Sequence, residues 1–162
     1  MMLYILRLTM LVLATLLSTL MLYGQSDSYI KEAKLAFTNG LYQDAVNKYQ
    51  AGLTFMNNQK VNKNTPQYLQ VQKEMMRAKS NLENIKRADA LFASKTEAGY
   101  KSAKAAYHAV LANNASDRYA RQRVLDCDQQ IAVIINHRND EALWATILSE
   151  SNQAAYERYL KA

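Results

Sequence analysis

Apolar residues recur along this chain with the spacing of amphipathic helices. The clearest stripe lies between residues 71 and 92, where apolar positions are separated by three or four residues, as they are on one face of an α-helix. The stripe extends for about six turns without Gly or Pro, which predicts a single long helix. Its apolar positions are Val71, Met75, Ala78, Leu82, Ile85, Ala88 and Phe92.

Polar and helix-breaking residues mark where the helices begin and end. Asn39-Gly40 separates the first two helices, residues 57–64 form a polar loop, and Thr65-Pro66 places an N-cap before a proline, which is a strong start signal. Ser116 and Asp140 are predicted to cap two later helices. The predicted helices cover about residues 26–38, 41–55, 66–95, 100–112 and 116–137, a shorter segment after Asp140 that contains Trp144, and a last segment that begins at Ser151 or Asn152.

A pattern of one small and one aromatic residue, Ala-x-x-x-Tyr, occurs in three of these helices. The three alanines are separated by 58 and then 52 residues. An offset of four places the alanine and the tyrosine on one helix face, and repetition at long, similar intervals is typical of stacked helical units. An interval of this length requires either an extra helix in each unit or a long helix shared between hairpins. The pairs are Ala45/Tyr49, Ala103/Tyr107 and Ala155/Tyr159.

The segment around the first pair resembles the tetratricopeptide repeat (TPR) family. That family's hairpin has a Gly-x-Tyr turn followed at set offsets by a small, an aromatic and a second small residue. The second copy is looser, because Phe92 to Tyr100 is three residues longer than Phe37 to Tyr42, and the third copy is incomplete. The matching residues of the first copy are Gly40, Tyr42, Ala45, Tyr49 and Gly52, with Ala33 as the small residue of the preceding helix.

The resemblance implies an all-α fold, with tandem antiparallel helical hairpins forming a TPR-like α-solenoid with long helices over residues 25–162. The helix pattern itself predicts that Leu35 lies in the seam of the first hairpin. In a TPR-like fold the concave face recognises a peptide or protein segment. The alternative for that face is that its phenylalanines belong to the core and its charged residues are solvated. The partner-binding positions carried over are Ile30, Lys34, Phe37, Ile85, Asp89 and Phe92, and the packing positions are Ala33, Gly40, Tyr42, Ala45, Tyr49, Ala103, Tyr107, Ala155 and Tyr159.

The N-terminal segment has the composition of an export signal. Arg7 is its only charged residue, the run from Leu8 to Tyr23 is mostly apolar, and residues 25–28 are polar. This layout predicts a signal peptide at residues 1–24 and a mature protein in the periplasm or cell envelope. Leu22 is larger than the residue preferred at that position, so the alternative is an uncleaved inner-membrane anchor formed by residues 1–23.

The remaining chemistry favours binding over catalysis. The net charge is +6, and the basic residues are distributed along the chain with acidic residues between them. This distribution is typical of solvated helix faces and disfavours a nucleic-acid partner. Cys127 is the only cysteine, so neither an intrachain disulfide nor a thiolate metal cluster is expected. His108 and His137 lie far apart, and no catalytic motif accompanies them. We therefore expect no enzyme activity, no metal and no cofactor.

The sequence thus predicts a protein–protein interaction scaffold whose partner is a protein or peptide. Two alternatives stay open. The resemblance also extends to the repeat-bearing N-terminal regions of bacterial envelope proteins, which implies a regulatory region of a longer protein with a C-terminal effector or catalytic domain. The tyrosine content is also compatible with a structural, self-associating envelope element.

Overall fold

The computed structural model describes residues 26–150 and 153–161, and within these ranges the backbone is helical apart from short joints and contains no strand. The all-α prediction is therefore confirmed for this part of the chain, whereas the predicted leader lies outside it. No helix in the described ranges combines the length and apolarity needed to cross a bilayer. The helices are α1 (26–38), α2 (Tyr42–Asn58), α3 (Pro66–Ala93), α4 (Glu97–Asn113), α5 (Arg118–Glu150) and α6 (Gln153–Leu160).

The chain forms two compact units, and the long helix α3 contributes to both. Among the described residues, the first unit comprises those up to Glu83 together with Ala112–Arg118, and the second comprises Asn84–Leu111 together with those from Tyr119 onward. Since α3 extends without interruption from Pro66 to Ala93, the long repeat interval reflects a helix shared between hairpins. The alternative of a separate extra helix in each unit is not observed in the described residues.

The core of the first unit lies where α1, α2 and the first part of α3 meet. Ala45 and Tyr49 of α2 are 0 % and 1 % exposed, and Leu53 lies one turn further along the same face. Small residues let the backbones approach, while each large apolar side chain stabilises the fold by roughly 1.5–3 kcal/mol on burial. The core residues are Ala33, Ala36, Ala45, Tyr49, Leu53, Met56, Tyr68, Val71, Met75 and Ala78.

The two hairpin joints have the same length and share a left-handed middle residue. Residues 39–41 and residues 94–96 each connect two helices, and the middle residue of each joint is left-handed, with φ of +77° at Gly40 and +53° at Lys95. The N–H of each middle residue donates to the carbonyl of the phenylalanine three positions earlier. The additional residues of the second copy therefore belong to the helix, not to the joint.

The predicted start of the helix that follows this second joint, at Tyr100, is consequently wrong by three residues. The observed α4 begins at Glu97, and the Thr96 hydroxyl accepts a 3.0 Å hydrogen bond from the N–H of Gly99. This geometry is a helix N-cap. Gly99 has no room for a side chain, because an added Cβ would lie 1.9 Å from the Ser94 hydroxyl and 2.8 Å from the Leu91 carbonyl oxygen.

Helix α5 differs from its prediction at both of its proposed caps. It begins at Arg118, so Asp117 rather than Ser116 immediately precedes it, and it continues through Asp140 without a break. Asn and Asp reduce helix propensity by at most about 0.7 kcal/mol each, and no Gly or Pro interrupts this stretch. Arg138 also forms an ion pair with Glu97 of α4, which favours continuation of the helix at this point.

Candidate functional site

In the first unit an arginine covers the aromatic pair at the hairpin joint. The rings of Phe37 and Tyr42 meet edge to face, with centroids 5.3 Å apart. The Arg77 guanidinium of α3 lies 5.4 Å from the Phe37 centroid, and it donates hydrogen bonds to the Asn113 carbonyl (2.8 Å) and to Glu74 (3.1 Å). This cluster closes the end of the α1–α2 hairpin.

A buried network of hydrogen bonds connects residues 113–117 to the same joint. The Asn114 amide donates to the Phe37 carbonyl (2.7 Å) and to the Tyr42 hydroxyl (3.1 Å), and this hydroxyl donates to the Asp117 carboxylate (2.6 Å). Burial and the hydrogen bond to Asp117 raise the pKa of Tyr42 to about 12. Gly40 is favoured here, since it combines a positive φ with a position where a Cβ would lie 3.2 Å from the Asp117 side chain.

The second unit contains an equivalent aromatic pair covered by an arginine, and these side chains lie closer together than in the first unit. Phe92 and Tyr100 meet edge to face with centroids 4.8 Å apart. The Arg123 guanidinium of α5 lies 3.6 Å from the Phe92 centroid, and its Nε donates a 3.2 Å hydrogen bond to the Tyr107 hydroxyl. Arg123 also pairs with Asp126 at 3.2 Å, so the same side chain joins α3, α4 and α5.

Asp89 is the acceptor at the centre of this second cluster. The hydroxyls of Tyr107 and Tyr119 donate to its Oδ1 at 2.5 Å and 2.7 Å. Burial, followed by the hydrogen bond to Asp89, raises the pKa of both tyrosines. The carboxylate is thus committed to contacts within the second unit.

The six partner-binding positions carried over from the resemblance do not share one environment. Phe37, Phe92 and Asp89 take part in the internal clusters, Ile30 packs against the core of the first unit, and Ile85 is half-buried. Among the six, Lys34 alone is classed as exposed. The sequence could place these residues on a helix face, but the arginines that cover the phenylalanines come from helices more than 30 residues further along the chain.

Most of the predicted packing positions are buried. Gly40 and Tyr159 are half-buried, and the side chain of Ala155 lies outside what the structure describes. The buried positions are Ala33, Tyr42, Ala45, Tyr49, Ala103 and Tyr107.

The exposed face of α1 carries an apolar side chain that was expected elsewhere. Leu35 is 62 % exposed, so its predicted place in the hairpin seam is wrong. It follows buried Ala33 by two residues, and a two-residue step on a helix rotates a side chain by about 200°, away from the seam. Lys34 and Leu35 are both exposed on α1, and Leu41, 54 % exposed, follows in the joint.

A second apolar surface lies on the hairpin formed by the last part of α5 and by α6. Trp144 contacts the rings of Tyr156 (6.5 Å) and Tyr159 (5.3 Å), and the hydrogen bond between Tyr159 and Asp140 raises the pKa of Tyr159. Even so, Trp144 is 39 % exposed and Leu148 is 60 % exposed. Trp144 and Tyr156 are therefore more exposed than Tyr42 and Tyr100 at the two preceding joints, which are 3 % and 5 % exposed.

Groups with catalytic or metal-binding potential are dispersed. Within residues 26–150 and 153–161, no three His, Cys, Asp or Glu side chains converge in a way that could hold a metal ion. Cys127 is buried, which raises the pKa of its thiol, and His108 and His137 are exposed on separate helices. A scan against protein-family models, a search of curated proteins and a search of solved structures each found no match to this chain.

Proposed function

We propose that this protein is a non-enzymatic, TPR-like scaffold of the periplasm or cell envelope that binds a protein or peptide partner through its stacked helical hairpins. The observation that carries the proposal is the exposed side of α1. There Lys34 and Leu35 are consecutive exposed residues, and Leu35 leaves 62 % of its surface in solvent. An apolar side chain bordered by charge is typical of a surface that recognises another polypeptide.

The internal contacts also favour a scaffold over a catalyst. Asp89 and the hydroxyls of Tyr107 and Tyr42 are each engaged in short hydrogen bonds within their own unit. Arg77 and Arg123 lie over phenylalanine rings. These groups stabilise hairpin joints, which leaves the outer helix faces to meet a partner.

Export is the part of the proposal supported by the sequence alone. The basic, apolar and polar order of residues 1–28 is that of a secretory signal. Intact mass of the protein purified from an export-competent host is the direct test. A mature chain that begins after Gly24 supports export with cleavage, and a chain that keeps Met1 supports the anchor.

Site-specific photo-crosslinking tests the binding surface. A photoreactive amino acid at Leu35, introduced in exporting cells, is expected to link the partner. The same amino acid at Lys79, which is exposed on α3, is the matched control. The purified partner should then bind Lys34→Glu at least tenfold more weakly, since reversal of a contacting charge adds repulsion. Equal binding to the original protein and to Lys34→Glu would exclude this side of α1.

A further inference from the structure

The hairpin formed by residues 139–150 of α5 and by α6, called hairpin 3 below, repeats the second hairpin at a fixed offset. A shift of 52 residues carries Phe92 to Trp144 and Tyr107 to Tyr159. In both hairpins the tyrosine hydroxyl meets an aspartate of the preceding helix. It donates to Asp89 at 2.5 Å in the second hairpin, whereas in hairpin 3 its neighbour is Asp140, one residue before the position that the same shift gives for Asp89. Hairpin 3 is thus a third version of this unit at the positions of Phe92 and Tyr107, with Asn152 in place of Tyr100.

The first two versions show what covers such a unit. In each of them the helix that follows the hairpin places an arginine over the phenylalanine ring, at 5.4 Å for Arg77 and 3.6 Å for Arg123. In the second hairpin the arginine also hydrogen-bonds the equivalent tyrosine, Tyr107, at 3.2 Å. The covering element is therefore a helix that presents an arginine between apolar contacts.

In hairpin 3 the aromatic side chains contact one another but stay more exposed to solvent than those of the second hairpin. Trp144 is 39 % exposed, whereas its counterpart Phe92 is half-buried, and Tyr159 is half-buried, whereas its counterpart Tyr107 is 0 % exposed. Tyr156 is 48 % exposed. Leu148 and Leu160 are 60 % and 65 % exposed. A cluster of this kind on a folded protein indicates a docking surface.

Charge indicates the nature of the occupant. Residues 139–160 carry four acidic residues and one basic residue, although the chain as a whole is positive. Asp140, Glu141 and Glu157 of this segment are exposed. The helical segments that cover the first two hairpins are both net basic, with three bases and two acids in residues 66–83 and four bases and two acids in residues 118–138. A basic helix therefore complements hairpin 3 in charge as well as in shape.

We propose that hairpin 3 binds an amphipathic basic helix of a partner protein, with an arginine of that helix over Trp144 and close to the Tyr159 hydroxyl. This inference rests on the proposed function as a protein-binding scaffold and adds a site and a partner chemistry to it. Among aromatic side chains, Trp attracts a cation over its ring face most strongly, and the acidic residues of hairpin 3 steer the basic helix toward it.

Fluorescence of Trp144 offers a direct test, because it is the only tryptophan of the chain. The probe is a synthetic peptide of residues 66–83, which contains Arg77 and no tryptophan. Added to the purified full chain, it is expected to change the emission of Trp144 saturably, with a shift to shorter wavelength as water is excluded. A peptide with Arg77→Glu should bind at least tenfold more weakly, since it loses the cation–π contact and meets an acidic surface.

Charge variants of the protein locate the interaction. Glu141→Lys combined with Glu157→Lys should weaken peptide binding at least tenfold, whereas Asp44→Lys on α2, an exposed acid of the first unit, should leave it unchanged. Circular dichroism checks that each variant keeps its helix content.

Two results would overturn the inference. One is a Trp144 emission that does not respond to the peptide up to millimolar concentration. The other is an emission that shifts with protein concentration alone while sedimentation shows a dimer, which would make a second copy the occupant. Crosslinking at Leu35 concerns a different helix of the first unit, so a failure at hairpin 3 leaves the proposed function standing, and a failure at Leu35 leaves this test informative.

Discussion

Lys60 and Lys95 occupy the left-handed backbone region, with φ of +56° and +53°. Each follows the end of a helix, and its N–H donates to a carbonyl three residues earlier. For a residue with a Cβ this conformation costs about 1–2 kcal/mol, and glycine removes that strain while losing more entropy on folding. We expect Lys60→Gly and Lys95→Gly each to raise the free energy of unfolding by about 0.5–1 kcal/mol.

Chemical denaturation measures this effect, and Lys79→Gly is the matched control. Lys79 is exposed in the interior of α3, where glycine should lower stability by about 1 kcal/mol. The opposite sign of the two effects separates backbone strain from a general effect of losing a lysine. A loss of stability in all three variants would contradict the assignment of strain to Lys60 and Lys95.

The raised pKa of Tyr42 predicts that the protein loses stability at alkaline pH. Its pKa in the folded protein is raised from 10 to about 12, so the folded state holds the hydroxyl proton more tightly than the unfolded chain does. The resulting stabilisation is complete below pH 10 and is lost as the pH rises from 10 to about 12. Tyr49, whose pKa burial also raises to about 12, contributes in the same window, so the Tm should fall steeply there.

The variant Tyr42→Phe separates the two tyrosines. It should lower stability near neutral pH by about 1–3 kcal/mol, because Asn114 and Asp117 lose a buried hydrogen-bond partner. It should also make the Tm less sensitive to pH between 10 and 12. Tyr156→Phe, at a 48 % exposed position, is the control and should change neither quantity. An unchanged alkaline slope in Tyr42→Phe would show that its hydroxyl is not involved.

Such residues show where sequence reasoning ends. The packing role of Tyr49 follows from its four-residue offset from Ala45, because helix periodicity determines which side chains share a face. The partner of Tyr42 does not follow, because Asp117 lies 75 residues away and is brought near only by the tertiary fold. The contacts of Asp89 do not follow from the sequence for the same reason, since neither of its tyrosine donors belongs to its own helix.

The arginine-covered joints are the elements that repeat most clearly between the two units, and they predict unequal coupling. Arg123 lies 3.6 Å from the Phe92 centroid, and Arg77 lies 5.4 Å from that of Phe37. We expect a double-mutant cycle of Arg123→Ala and Phe92→Leu to give a coupling of about 1 kcal/mol. The equivalent cycle of Arg77→Ala and Phe37→Leu should give a smaller value.

Urea denaturation of the single and double variants provides these couplings. The two cycles are controls for each other, because they remove the same groups from equivalent positions. Additive effects in the second unit, with no coupling between Arg123 and Phe92, would mean that burial of the ring and the hydrogen bond to Tyr107 account for the cluster without the stacking.

The sequence pattern predicts which segments are helical better than it predicts their first and last residues. The long α3 follows from an apolar stripe with no breaker, and its start follows from Thr65-Pro66. The predicted break near Asp140 is wrong because weak helix formers end a helix only when no tertiary contact holds it, and Arg138 pairs with Glu97 of α4. The start of α4 was misplaced because the repeat pattern identifies Tyr100, whereas the Thr96 cap determines the first residue.

For the molecule as a whole, the continuous α3 predicts that the two units unfold together. Helix formation is cooperative, and arrays of helical units gain stability from links between neighbours. The helix passes from the first unit to the second between Glu83 and Asn84. Since Glu83 is exposed, a change at this position acts mainly on the helix backbone. We therefore expect a single unfolding transition in the original protein.

Glu83→Pro should separate that transition into two. Proline removes one helical hydrogen bond and clashes with the preceding turn, at a cost of about 3 kcal/mol, so stabilisation of one unit would no longer extend along α3 to the other. Hydrogen exchange should then show different opening free energies for the amides of α2 and α4, which are expected to be alike in the original protein and in the control Glu83→Ala. If Glu83→Pro instead lowers protection equally in both units, the coupling does not pass through α3.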